Sequence, residues 1–236
     1  MSSRTVHNRH ASDTGLPQAR RDVLAIAHEL HSRGWVANHD GNVTLRLPAG
    51  RWLATPTALS KRVLTEADLI IVDREGRVVQ GGRKPFSEFA LHLPVYDARA
   101  DVGAVVHAHP PATTALAVIG TEVDPALIAE AVISLGDRVP LLPYAFPNAV
   151  EQVETLAELA TRYDVVSLGN HGALAWGDDV EQAYLRLELV EHLAGIQLRA
   201  MQAGRPRRLP DADIGRLLDK RTKAGLGPAG RREHGG

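Results

Sequence analysis

Apolar positions along the chain follow two rhythms, and the rhythms mark out the elements. Between Pro17 and about Arg33, Val23, Ile26, Ala27 and Leu30 recur at helical spacing, and the pattern stops at Gly34. Val43, Leu45 and Leu47 then alternate with polar neighbours, the period of a half-buried strand. Further strands are predicted at Trp52–Ala54, Leu69–Val72 and Arg77–Val79, the last two joined by a turn at Arg74-Glu75-Gly76. Ser87 to Arg99 reads as a helix with Ser87 as N-cap and Leu91, Val95 and Ala98 on one face. Gly103–His109 reads as a strand, and Pro111 then sits in the first turn of a helix running to Ile119.

The same alternation continues toward the C-terminus. Leu141–Leu142 is a short strand, and Val150–Tyr163 is a helix with Val153, Leu156, Leu159 and Ala160 apolar. Val165–Leu168 and Ala173–Trp176 are strands around the turn Gly169-Asn170-His171-Gly172. Asp178 and Asp179 open a long helix striped by Ala183, Leu187, Val190, Leu193, Ala194 and Leu198. Helices flank both ends of a central run of strands, so a mixed α/β sandwich is expected. No linker or repeat divides it. One domain over residues 17–226 is expected, with a flexible leader at 1–16 and a flexible tail at 227–236.

Composition narrows the chemistry. Among 236 residues there is no cysteine but there are 11 histidines, so a transition-metal site must use imidazole and carboxylate. Lys and Arg total 27 against 28 Asp and Glu, a net charge of -1, and nothing global draws the chain to nucleic acid or membrane. From Arg199 onward, ten Lys/Arg face four Asp/Glu. Without interleaved aromatics this basic end reads as a solvated helix with a loose tail, or as a subunit contact. The polar first residues lack the apolar run of a secretion signal, and Ala112–Ile119 and Val102–Val106 are too short to span a bilayer. A cytoplasmic location is expected.

His107-Ala108-His109 is the most informative tripeptide. Residues two apart on a strand share a side, so both imidazoles can meet one ion at about 2.0–2.1 Å. Alone, a His-x-His reads more readily as coincidence. Here it ends a buried apolar run, and His171 in a tight turn offers a third imidazole, which together suit a catalytic zinc site with an open position. Glu88 supplies a carboxylate at a helix start. Gly41-Asn42, Thr55-Pro56-Thr57 and Arg83-Lys84-Pro85 are equally good as anion contacts or as ordinary loops. His7, His10 and His234 fall in the tails, and His28, His31 and His192 lie on helices without evident partners. His39 and His92 are candidates for the neighbourhood of the site, though sequence alone does not place them.

Gly41-Asn42-Val43-Thr44, Ala54-Thr55-Pro56-Thr57, Lys84-Pro85-Phe86-Ser87-Glu88, Ala104-Val105-Val106-His107-Ala108-His109 and Gly169-Asn170-His171-Gly172 stand in an order that resembles the class II aldolase/adducin family. The resemblance implies a central, mostly antiparallel sheet with helices on both sides, and a fourfold homotetramer with active sites at subunit interfaces. It implies Zn2+, or Mn2+, Co2+ or Fe2+, on His107, His109, His171 and Glu88, with Glu88 as acid/base. The substrate would be a small hydroxy-carbonyl compound, cleaved or joined at a C–C bond through a stabilised enediolate. Epimerases, dehydratases, decarboxylases and oxygenases share the fold, as does the non-enzymatic adducin head. Gly41, Asn42, Thr57, Ala58 and Ser87 fall on the family's phosphate-binding positions. Ala58 replaces a glycine and Phe86 a serine, which leaves a non-phosphorylated substrate open. Ala129 and Ala224 fall where the aldolases carry proton-donating tyrosines, so the proton donor is unassigned.

Overall fold

In the computed structural model, which describes residues 15–146, 149–228 and 230, eight strands form one sheet. They are β1 (Asn42–Leu47), β2 (Arg51–Ala54), β3 (Ile70–Val72), β4 (Val78–Gln80), β5 (Ala104–Ala108), β6 (Leu141–Leu142), β7 (Val165–Leu168) and β8 (Gly172–Gly177). The order is β4-β3-β2-β1-β5-β8-β7-β6, and every neighbouring pair is antiparallel except β6 and β7. The mostly antiparallel sheet expected from the family resemblance is therefore present.

Seven α-helices accompany it: α1 (Leu16–Ser32), α2 (Phe89–Ala98), α3 (Pro111–Val118), α4 (Ala129–Leu135), α5 (Val150–Ala160), α6 (Val180–Ala203) and α7 (Asp211–Lys223). The alternation along each strand divides the core in two. Val43, Val106 and Ala175 face α1 and α6 through Val23, Ile26, Leu30, Leu187 and Leu193. Trp52, Val105, Leu174 and Trp176 face α2 and α5 through Leu91, Val95, Tyr96 and Leu156. Each fully buried Leu or Val contributes about 1.5–3 kcal/mol relative to exposure. Asp179 caps α6 by accepting from the Gln182 amide at 2.7 Å.

Two expectations change. The helix after Pro85 begins at Phe89 rather than Ser87. Ser87 lies exposed in a turn, while Glu88 holds the N-cap position without a capping bond because its carboxylate turns elsewhere. The basic C-terminal segment is more than a solvated helix. Its α7 packs Ile214 onto Val132 of α4, and Arg221 is buried on Asp164 at 3.0 Å and on the Ile133 carbonyl at 2.7 Å. The expected tail begins with Gly227 and Pro228, both buried, whereas residues 231–236 and 1–14 lie outside the described residues. No described helix is long and apolar enough to cross a membrane.

Candidate metal centre and active site

The sheet brings the candidate residues to one edge of its middle strands. His107 is on β5, opposite Asn42 of β1 on one side and Leu174 of β8 on the other. It shares the parity of Val105 and so faces α2. His109 follows just past the strand, held by its amide on the Trp35 carbonyl at 2.9 Å. His171 stands between β7 and β8, after Asn170 in a left-handed conformation (φ 53°).

Two glycines make room for this convergence. A Cβ on Gly172 would overlap the Ala108 carbonyl oxygen and lie 2.7 Å from the His109 ring. One on Gly41 (φ 69°) would strike Val36 and lie 2.9 Å from the His107 carbonyl oxygen.

The three imidazoles each place a ligating nitrogen within 4.8 Å of the others. His107 Nε2 and His109 Nε2 are 3.2 Å apart, His171 Nε2 lies 2.9 Å from Glu88 Oε1, and His107 Nε2 lies 3.6 Å from Glu88 Oε2. A tetrahedral ion with bonds of about 2.0–2.1 Å has an edge of about 3.4 Å between ligands. These separations straddle that edge, so the donor set fits a zinc-type divalent ion. His107 Nδ1 donates to the Ala173 carbonyl at 2.9 Å, which leaves its Nε2 lone pair directed into the cluster.

Burial sets the protonation. Desolvation pushes His107 down to about 3, so it is neutral and able to ligate near pH 7. Burial pushes the Glu88 carboxyl up, but the hydrogen bond from His171 and the Asn42 amide (Nδ2 to Oε2, 2.7 Å) outweigh it. The His171 hydrogen bond leads these, and with the neighbouring imidazoles and the Asn42 amide it keeps Glu88 ionised.

The rim is a pair of loops. The Thr57 amide donates to the Lys84 carbonyl at 3.1 Å, joining the loop that carries Thr57 and Ala58 to the one that leads into Ser87. Thr57, Ala58 and Ser87 are exposed, whereas Gly41 and Asn42 are buried, and the Asn42 amide nitrogen is bonded to Glu88 rather than free. Ala58 has φ 56°, the left-handed conformation that glycine adopts without penalty. Phe86 turns its ring into the core, 6.3 Å from Phe89 and 5.3 Å from His92.

Thr55 is internal, its hydroxyl accepting from the Val43 amide at 3.2 Å, and Arg83 pairs with Asp68 at 2.7 Å. Both leave the set of anion contacts. His28 has a partner after all, the Leu64 carbonyl at 2.9 Å.

Lys61 and Tyr96 escape a sequence reading, and the structure gives His92 and Thr44 their places beside the site. Lys61 is 1% exposed and donates to the His39 carbonyl at 3.0 Å; burial pulls it down to about 8 against the charges of Asp40 and Glu88. His92, one helical turn after Glu88, is buried on Thr44 at 2.8 Å, and Thr44 meets the Tyr96 hydroxyl at 2.8 Å. The Tyr96 hydroxyl donates to the Thr44 carbonyl at 3.0 Å, so Thr44 must donate to Tyr96 and accept from His92 Nδ1. This chain pins α2 to β1 and thereby sets Glu88 beside Asn42.

The fold and this cluster define a class. Residues 21–198 match the family described as the class II aldolase and adducin N-terminal domain, and the chain belongs to that family. It is similar to a 5-deoxy-D-ribulose 1-phosphate aldolase of Bacillus thuringiensis serovar kurstaki, 28% identical over 87% of this chain and 96% of that protein. It is also similar to a methylthioribulose-1-phosphate dehydratase of Acidiphilium cryptum, 31% identical over 75% of this chain and 89% of the relative. Among solved structures, an L-fuculose 1-phosphate aldolase superposes with a TM-score of 0.79 at 27% identity, over 89% of this chain and 97% of its own. Membership in this superfamily supports an enzyme, and its named relatives include both aldolases and dehydratases.

Proposed function

We propose that the chain is a divalent-metal-dependent aldolase that cleaves or forms a C–C bond in a small hydroxy-carbonyl sugar derivative. His107, His109 and His171, with Glu88 closing the set, would hold Zn2+ or a similar ion. The observation that carries this reading is the convergence of three imidazoles and one carboxylate at tetrahedral-edge spacing. When bound, the ion supplies a Lewis acid for the carbonyl and neighbouring hydroxyl oxygens of the substrate.

The protein's own residues do the rest. Glu88, ionised and about 29% exposed, takes a substrate hydroxyl proton and returns it to carbon as the bond breaks. Asn42 fixes the direction of the carboxylate by holding Oε2. The exposed backbone and hydroxyls of Thr57, Ala58 and Ser87 form the rim that would receive a terminal anionic group. With the Phe86 ring packed inward, that rim keeps its space, which favours a phosphorylated substrate, as in the names of both relatives.

Dehydration is the second reading, favoured by the similarity to the Acidiphilium enzyme. It uses the same residues, with Glu88 removing a proton beside the carbonyl and delivering it to the adjacent hydroxyl, which departs as water. Zinc-loaded protein would be given 5-deoxyribulose 1-phosphate and methylthioribulose 1-phosphate, each with and without the phosphate. Release of dihydroxyacetone phosphate, or of dihydroxyacetone from the dephosphorylated sugars, marks aldol cleavage, and a diketone product marks dehydration. No turnover of any of the four would overturn both readings.

We further expect a cytoplasmic homotetramer with sites at subunit boundaries. Tyr144, whose backbone packs on Gly169, and Phe146 are 62% and 78% exposed, the kind of apolar surface a neighbouring subunit covers. Arg221 and Arg208 are engaged with Asp164 and Asp124, which argues against a nucleic-acid partner for the basic end. Sedimentation of the purified chain checks the assembly.

A further inference from the structure

The cluster poses a question of proton placement that His107 answers and His109 does not. His107 commits its Nδ1 proton to the Ala173 carbonyl, so its Nε2 carries a lone pair. His109 Nε2 lies only 3.2 Å from that lone pair. For both rings to offer lone pairs to one ion, His109 must keep its own proton on Nδ1, and an acceptor behind the ring favours that tautomer. The group facing His109 Nδ1 is Asp40, with Oδ2 at 3.9 Å. Its side chain is about half exposed and has freedom to close the remaining gap.

The backbone that carries Asp40 is tied on several sides. Its amide donates to the Ala37 carbonyl at 2.9 Å, and the next residue, Gly41, packs against the His107 carbonyl. The preceding carbonyl, that of His39, accepts from the buried Lys61 ammonium at 3.0 Å. Lys61 belongs to the loop that also carries Thr57 and Ala58, so one buried cation links the rim to the turn behind His109.

We propose that Asp40 is the carboxylate that orients His109 for the metal, and that Lys61 positions Asp40 by clamping the His39–Gly41 turn. Neither residue touches the ion. Asp40 acts through the His109 ring, and Lys61 acts through Asp40. This inference rests on the metal-site reading above, and its test separates the two.

The experiment titrates metal-free, full-length protein with Zn2+ against a chromophoric chelator and records the Co2+ absorption bands of the same variants. The wild-type chain binds one ion. Asp40→Ala binds it about 10–100-fold more weakly, with shifted cobalt bands. Lys61→Met also weakens binding, but adds less than about threefold once Asp40 is already alanine, because the two act in series. Wild-type affinity in Asp40→Ala overturns the proposal. An equal Lys61→Met effect in both backgrounds overturns the clamp. Because Asp40 is half exposed, its removal leaves the core intact and decides the main point even where Lys61→Met does not fold. If the wild-type chain binds neither ion, the metal-site reading itself fails, a distinct outcome.

Discussion

Asn42 donates from Nδ2 to Glu88 Oε2 at 2.7 Å, and this bond joins the first residue of β1 to the N-cap of α2. A carboxylate at an N-cap ordinarily turns back to its own helix. Here the helix goes uncapped and the carboxylate is held toward the histidines. Asn42→Ala should free Glu88 to swing and raise its pKa toward the ordinary range, moving the acid limb of the kcat/KM profile to higher pH. A loss of about 10–100-fold in kcat/KM is expected. Asn42→Asp should be worse, since it sets a second negative charge against Oε2. Equal pH profiles for wild type and Asn42→Ala would refute this role.

Ligation and proton transfer should separate by mutation. His109→Ala removes one of three imidazoles, so metal content and activity should disappear together. Glu88→Gln keeps the shape and the three imidazoles, so the metal should stay while kcat falls about 10²–10⁴-fold. Metal analysis beside steady-state kinetics distinguishes the two losses. A fully active Glu88→Gln enzyme would remove Glu88 from its acid/base role.

Acid should destabilise the metal-free protein well before its carboxylates titrate. Burial holds both His92 and His107 down to about 3, against about 6.5 when unfolded. The folded state therefore binds fewer protons than the unfolded chain, and stability rises with pH. The penalty is absent well above 6.5, grows below it and saturates near 3. At pH 5 it amounts to about 2 kcal/mol for each histidine. Glu88, with its folded pKa lowered, acts in a lower window: its contribution is complete above about 4.3 and is lost as pH falls further. Urea midpoints at pH 7.5, 6 and 5 check this, and a flat response over that range would contradict it.

How much of this was legible beforehand depends on where each signal lives. The strands around His107 and His171 have short, regular apolar patterns and fall where the alternation puts them. The triad was visible because His-x-His on a strand carries its own geometry. The helix α4, seven residues long, has too few turns to show a period, and α7 is mostly polar with one buried apolar residue, Ile214. Lys61 and Asp40 carry no local signal at all. A lysine becomes buried and an aspartate faces an imidazole only once the sheet has closed, and those facts belong to tertiary contact rather than to spacing. Local capping chemistry favours Ser87 as the N-cap, whereas the structure gives that position to Glu88, whose carboxylate bonds Asn42 instead of its own helix.

Asp164 offers the clearest test of what the C-terminal basic residues do. Its side chain is fully buried just before β7, and three arginines from separate elements reach it: Arg99 after α2 at 3.2 Å, Arg186 of α6 at 3.3 Å and Arg221 of α7 at 3.0 Å. Arg99 also pairs with Asp101 at 2.7 Å. Guanidinium groups cannot shed their protons in compensation, so removing the central carboxylate leaves buried positive charges facing one another. Asp164→Ala should cost about 3–5 kcal/mol in urea unfolding. Arg221→Met removes a charge from the excess and keeps an apolar stem, so it should cost less, and combined with Asp164→Ala it should recover part of the loss. The metal affinity of the folded fraction should stay that of the wild type, since Asp164 and Arg221 lie outside the cluster of His107, His109 and His171. If Arg221→Met were the more damaging of the two, the carboxylate would not be the hub of this network.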